Sequence, residues 1–320
     1  MRATQWFAAL SLVAGIAHAA EYPAKPVRLI VPFPAGGTTD IVARGVADQM
    51  SKILGKTVVV ENRGGAGGAI GAAEVAKAAP DGYTLGIATV STHAVNSACN
   101  PKLSYDPIKD FRPITNLAHV PNVIVVHPSV EAKDYKEFVA LLKAQPDKLS
   151  YASTGTCSIT HMIGEQFKML TKTSMAHVPY KGAGPALTDV LGGQVPVMVD
   201  NLPSSMPHIK AGKLRPMVVA WGKRVEALPN VPTFAEVGLK EANDPAWYGL
   251  VAPARTPDDL IKKLHEAAVK ALQDKGLQQR LREAGAEPVG NSPQEFAAEI
   301  KKEFDKMAAI AKAQNIKLQE

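Results

Sequence analysis

Cysteine is nearly absent: the 320 residues hold two, Cys99 and Cys157. Two isolated cysteines make no disulfide framework, and a sequence supplies no Cα separation, so whether they pair stays open. The chain has no CxxC, no HExxH and no His/Cys cluster at ligand spacing, which argues against a metal site, and nothing calls for a cofactor. His93, His161 and His177 stand in separate segments and read as hydrogen-bonding or packing residues. Aromatics make up 6% of the chain and no Lys/Arg stripe is interleaved with them, which excludes a nucleic acid partner. There is no G-x-S-x-G elbow. Beyond the first residues, no segment approaches the roughly 20 apolar residues of a membrane-spanning helix.

What is present begins with an export signal. Arg2 supplies a positive n-region, residues 6–15 an apolar h-region, and Ala17-His-Ala19 the small-x-small pattern of a cleavage site. Residues 1–20 are therefore expected to be a signal peptide, with the mature chain starting at Ala20 or Glu21. No Cys follows the h-region to accept a lipid, so a soluble, exported, monomeric product is expected. The formal charge of +6 is mild and scattered, and suits a protein that meets acidic small molecules. About 300 mature residues suffice for two domains.

Apolar patterning alternates strand and helix. Strands are expected over 27–33, 57–61 and 83–89, with helices over 41–54 and 69–78 between them, the order of a doubly wound sheet. An apolar stretch over 114–127 is broken by Pro121, and a second series follows: helices over 135–144, 159–171 and 185–191, strands over 149–152, 175–178, 197–200 and 216–220. After a strand over 247–252, helices over 257–275 and 293–314 have no sheet of their own and should return to the first. The expected architecture is α/β with two lobes, 21–126 plus 250–320 and 127–249. Two hinge crossings, near 125–128 and 246–251, would flank a central cleft.

Two loops should face that cleft. Pro34-Ala-Gly-Gly-Thr-Thr-Asp40 joins a buried strand to a helix that a threonine or aspartate can cap, and Ser153-Thr-Gly-Thr156 opens another helix. Helix N-termini offer unpaired N–H groups and partial positive charge, so two such loops could hold the two ends of a dicarboxylate without any basic side chain. A third glycine cluster, Arg63-Gly-Gly-Ala-Gly-Gly68, follows the second strand, where no dinucleotide fingerprint belongs; it reads as a turn opening a helix, with Ala69 able to lend an N–H to the cleft.

The runs Tyr-Pro-Ala-Lys-Pro-Val-Arg (22–28), Val-Pro-Phe-Pro-Ala-Gly-Gly-Thr-Thr-Asp (31–40), Val-Val-Val-Glu-Asn-Arg (58–63), Ala-Ala-Pro-Asp-Gly-Tyr-Thr-Leu (78–85) and Val-Pro-Tyr-Lys-Gly (178–182) resemble the Bug family over nearly the whole mature chain. These are periplasmic receptors of tripartite tricarboxylate transporters. The resemblance implies a type II-like periplasmic binding protein that closes on a carboxylated solute, with membrane transporter subunits as partners. The stretches 88–96, 200–205 and 245–248 look most like the aspartate-binding branch. The implied ligand contacts are Ala35, Gly36, Gly37, Thr38, Thr39 and Asp40, with Ala69, Thr89 and Ser91, and on the other side Ser153, Thr154, Gly155, Thr156, Tyr180 and Asp200. Cys99 and Cys157 have no place in the family pattern.

Two residues carry a choice of roles. Asp200 could reward an amino group on the ligand or serve as a turn residue before Pro203. Asp40 suits a helix start better than a carboxylate ligand, which it would repel. Among other functions, a serine hydrolase lacks its elbow and an assignable orienting acid, and a transcription regulator would need a DNA-binding helix pair where the signal stands. A receptor that signals to a membrane sensor protein remains open.

Overall fold

The computed structural model describes residues 22–314, so the expected signal peptide lies outside the described residues. The chain runs β1 (Val27–Val31), α1 (Thr38–Leu54), β2 (Val58–Asn62), α2 (Ala69–Ala76), β3 (Thr84–Thr89), α3 (Asn96–Cys99), β4 (Phe111–Val120) and β5 (Asn122–Val126). It continues through α4 (Tyr135–Ala144), β6 (Ser150–Ser153), α5 (Ile159–Thr171), β7 (Ala176–Pro179), α6 (Ala183–Leu191), β8 (Val197–Asn201), α7 (Leu202–Lys210) and β9 (Arg215–Ala220). Last come β10 (Ala246–Pro253), α8 (Asp258–Leu272), α9 (Lys275–Glu283), β11 (Glu287–Pro288) and α10 (Pro293–Gln314).

These strands form two sheets, each the base of one lobe. The first has the order β11-β4-β10-β3-β1-β2 and the second β7-β6-β8-β5-β9. In the first, β1 lies parallel between β2 and β3, while β10 runs antiparallel to both β3 and β4. The apolar run of β1 has the composition of a strand covered on both faces, and Leu29, Ile30 and Val31 are fully buried with α1 and α2 packed against them. Each such side chain contributes roughly 1.5–3 kcal/mol by leaving water. The C-terminal helices do return to this sheet: α8 and α10 pack on β4, and α8 also on α1.

The chain changes sheets at Pro121 and between Ala220 and Ala246. The first change is a few residues earlier than the spacing predicts, because β5 already pairs with β8 and β9 from Asn122 onward. Hydrophobicity continues through both strands; the break is made by proline, which has no N–H for a ladder, while Pro121 O accepts from Leu202 N at 2.9 Å. The second change is complete by Ala246, since the whole of β10 belongs to the first sheet.

Other differences are local. The helix expected over 257–275 ends at Leu272, and α9 starts anew because Asp274 Oδ1 accepts from Leu277 N at 2.8 Å. Helix α7 is hidden in the sequence by Pro203 in its first turn and Pro207 in its interior. The first helix is capped by Gly37 with no side-chain cap, not by a threonine or aspartate.

Candidate functional site

The C-terminal ends of β1, β3, β6 and β8 meet where the sheets approach each other. A cavity of ≈ 20 Å³ lies there, lined from the first lobe by Phe33, Gly37, Thr38, Thr39, Thr89, Val90, Ser91, Ala246, Trp247 and Tyr248, and from the second by Thr154, Ile159, Ala183 and Asn201. Its polar lining is neutral hydroxyl, amide and backbone; no Lys, Arg, Asp or Glu is among these residues. A volume of that size holds about one water, so a dicarboxylate requires the walls to part.

The first loop is built around α1. Thr38 and Thr39 occupy its first turn, where N–H groups have no intrahelical acceptor. Asp40 holds the loop from behind: its carboxylate accepts from Gly36 N at 3.1 Å, Arg44 Nε at 2.9 Å and Asn62 Nδ2 at 2.9 Å. Burial works to raise its pKa, but these donors outweigh burial and hold it below the usual carboxylate range. Asp40 is thus fully engaged within its own lobe.

Several contacts join the lobes. Thr38 Oγ1 lies 2.9 Å from Ser204 Oγ and accepts from Ser204 N at 3.1 Å. Ile159 N donates to Ser91 Oγ at 3.0 Å. Tyr248 OH donates to Asn201 Oδ1 at 2.7 Å, Asn201 Nδ2 to Asn122 Oδ1 at 2.6 Å, and Asn122 Nδ2 to Asp244 O at 2.7 Å, a chain of bonds running along both crossings. Ser91 opens a π-helical stretch, Ser91–Val95, that ends where Asn96 N meets Ser91 O; such turns recur at functional sites.

The second loop rests on two histidines. His161 and His177 stack at 4.0 Å between ring centroids and 9° between planes. His177 Nε2 lies 2.7 Å from Ser153 Oγ, and His161 Nδ1 accepts from Cys157 N at 3.2 Å. Burial, aided by the neighbouring His161, pushes His177 down to about 4, so both rings pack as neutral bases. The Ser153–His177 pair is no nucleophile and base: Ser153 is fully buried and its hydroxyl is already shared with Gly155 N and Gly155 O.

Asp200 is fully buried behind Asn201. Its Oδ2 accepts from Ser204 Oγ and Ser205 Oγ, each at 2.7 Å, while Oδ1 has no partner. Burial raises its pKa to about 6 despite the two hydroxyls and the backbone N–H of Asn201. His93, also fully buried, packs 4.5 Å from Phe111 with Nε2 unpartnered, and burial lowers it to about 3.

Of the residues expected at the cleft, Gly37, Thr38, Thr39, Thr89, Ser91 and Thr154 line the cavity. Ala35 and Gly36 are exposed at the tip of the first loop. Gly155, Thr156 and Tyr180 instead border a neighbouring opening of ≈ 280 Å³ shared with Ala66, Gly67 and Asn96, and Tyr180 OH is held by Asp189 at 2.6 Å. Ala69 faces an outer depression; Ser153, Asp40 and Asp200 support the walls from behind. Sequence reasoning missed Phe33, Asn201, Ala183, Trp247 and Tyr248 as wall residues. The Trp247-Tyr248 pair on an apolar strand was the available signal.

A family profile described as Tripartite tricarboxylate transporter family receptor matches residues 42–316. Protein BugT of Bordetella pertussis is 36% identical over 313 residues, covering 98% of this chain and 96% of its own. A solved structure described as a periplasmic transporter superposes with a TM-score of 0.92 at 57% identity, covering 93% of this chain and all of that one. Two Rhodopseudomonas palustris proteins are also similar: Rpa4515 with adipate (TM-score 0.89, 36% identity, 93% of this chain and 100% of that one) and MatC with bound malate (TM-score 0.86, 35% identity, 90% and 99%).

Proposed function

The chain belongs to the tripartite tricarboxylate transporter receptor family, the Bug proteins, a family of periplasmic solute-binding receptors, and from that premise we propose that it captures a small dicarboxylate between its lobes and delivers it to membrane transporter subunits. The observation that carries this reading is the neutral wall of the cavity: the first turn of α1 with Thr38 and Thr39 on one side, Thr154 before α5 on the other, and Ser91 between. Helix N-termini and hydroxyls favour anions without the rigid grip of a buried arginine, which suits a receptor that must release its cargo. MatC and Rpa4515 hold malate and adipate, acids with a carboxylate at each end.

Within this class an amino dicarboxylate such as aspartate is the preferred ligand. Asp200 has a buried carboxylate oxygen without a partner, one residue from Asn201 in the cavity wall. An ammonium group reaching that region, directly or through water, would hold Asp200 ionised. The lobes would hinge at Pro121 and across 221–245, and the ligand-contacting set would be Gly37, Thr38, Thr39, Thr89, Ser91 and Thr154, with Ser153, Gly155, Thr156 and Tyr180 shaping the second loop.

Calorimetry on protein reduced with dithiothreitol, against succinate, L-malate, L-aspartate, L-glutamate, adipate and citrate, tests the reading. Binding of at least one dicarboxylate without chemical change is expected, and Asp200→Asn should weaken L-aspartate more than L-malate. No heat from any of these acids, or an altered acid recovered afterwards, would overturn it.

A further inference from the structure

Cys99 and Cys157 form a disulfide with Cα atoms 6.2 Å apart. Cys99 ends α3, which packs on α10 in the first lobe. Cys157 follows the second loop and precedes α5 in the second lobe. We propose that this bond is a redox latch on the cleft: formed, it holds the lobes shut at their loop seam; reduced, it leaves them free to part.

The argument rests on what else joins the lobes at that seam. Ile159 N meets Ser91 Oγ at 3.0 Å, and Gly67 packs so closely on the second loop that a Cβ there would stand 2.7 Å from Thr156 O and 3.4 Å from Cys157 O. These are non-covalent contacts, which a rotation about the two crossings would break and remake. A disulfide is different in kind. It adds a third covalent connection to those at Pro121 and 221–245, and because it lies at the loop seam, a rotation that parts the seam cannot proceed while it is intact. Cys157 itself sits at φ 58°, a left-handed conformation unusual for a residue with a side chain, so the loop is shaped to bring its sulfur to the seam. Both cysteines are largely buried, 5% and 2% exposed, and Cys157 borders the ≈ 280 Å³ opening that Gly67 and Asn96 also line. An external thiol approaches the pair from that opening.

The chemistry is thiol–disulfide exchange with a dithiol. One thiolate of the dithiol attacks a sulfur of the pair and expels the other cysteine as thiolate; the second thiol then resolves the mixed disulfide. Two electrons and two protons pass to Cys99 and Cys157, and the dithiol becomes a disulfide. Closing the latch is the reverse, with a disulfide as electron acceptor. In the oxidising space outside the cytoplasm the closed, latched form is favoured once the sulfurs meet. The inference concerns lobe motion and stands whichever acid the cleft binds.

The test uses protein with no acid added, in three forms: oxidised, reduced with dithiothreitol, and the Cys99→Ser/Cys157→Ser double variant. Thiol counting defines each form, amide hydrogen exchange reads the seam, and small-angle scattering reads the overall radius. The oxidised form should exchange at Ile159 and Ser204 at least tenfold more slowly and have the smaller radius of gyration, with the other two forms alike. Equal seam exchange and equal radii in all three would overturn the latch. So would two free thiols in protein exported without reductant. A faster exchange spread evenly over the cores of both sheets, at Leu29 and Ile124 as much as at Ile159, would make the bond a general staple and also defeat the proposal.

Discussion

Thr38 Oγ1 and Ser204 Oγ lie 2.9 Å apart, one in the first turn of α1 and the other on α7, so a single hydroxyl pair spans the two lobes beside the cavity. The same Thr38 oxygen accepts from Ser204 N at 3.1 Å. A contact of this kind exists only when the lobes are together, and its free energy counts toward closure rather than toward either lobe's own stability.

Thr38→Val keeps the shape and removes the hydroxyl. The loss of the two buried hydrogen bonds to Ser204, about 0.5–1.5 kcal/mol each, should weaken whichever dicarboxylate binds best by roughly five- to hundredfold while the urea midpoint moves little. Calorimetry and urea unfolding on the same variant read the two quantities. A large stability loss with unchanged affinity would place Thr38 inside one lobe's folding instead.

Gly155 and Gly212 both have positive φ, 134° and 69°, but only Gly155 is crowded: a Cβ there would stand 3.1 Å from Tyr180 O and 3.4 Å from Gly67 Cα across the seam. Gly212→Ala is expected to cost about 1 kcal/mol of stability through backbone strain alone and leave affinity intact. Gly155→Ala should lower affinity more than tenfold, and more than Lys181→Ala does, because the added methyl holds the loops apart. Equal affinities in the two glycine variants would refute the close-approach account.

Asp200 should make the protein less stable as pH rises. Its folded pKa, raised by burial from 3.8 to about 6, means the native state binds more protons between those values, so stability present below pH 3.8 is lost as pH climbs through 6. Asp200→Asn keeps an acceptor for Ser204 and Ser205 and removes the charge. It should raise stability at pH 7 by about 1–3 kcal/mol and by little at pH 4, measured by urea unfolding without ligand.

His177 acts in the opposite direction. Burial lowers it from 6.5 to about 4, so the unfolded chain binds the extra proton first and stability falls as pH drops from 6.5 toward 4. Thermal unfolding of His177→Gln, which can still hydrogen-bond Ser153, should give a flatter dependence of the midpoint on pH across that window. An unchanged slope would mean that the imidazole stack does not titrate with folding.

The fold was legible where local pattern decides the outcome. The buried run of β1, the Gly36-Gly37 turn into α1 and the strand and helix alternation of both sheets are written in short-range hydrophobic periodicity, which any chain of this composition must satisfy to cover its strands. The candidate site was partly legible for the same reason: a helix N-terminus after a glycine turn offers its N–H groups wherever it occurs. Hence Gly37, Thr38, Thr39 and Thr154 could be named in advance, whereas Asn201, Trp247 and Tyr248 could not, because nothing local says which strand ends will face each other.

By itself the sequence determined the two-lobed α/β architecture through its short-range pattern and the family through its matching motifs, and it marked the loops at helix N-termini as candidates for an anion. Tertiary structure alone decided the rest. Pro121 breaks the apolar stretch, but that this break is where the chain changes sheets emerged only from strand pairing. Asp200 became a buried carboxylate with an idle oxygen because α7 lies over it, and Cys99 met Cys157 because the lobes close. Burial and cross-lobe distance are properties of two segments brought together, and a linear pattern carries information about only one segment at a time.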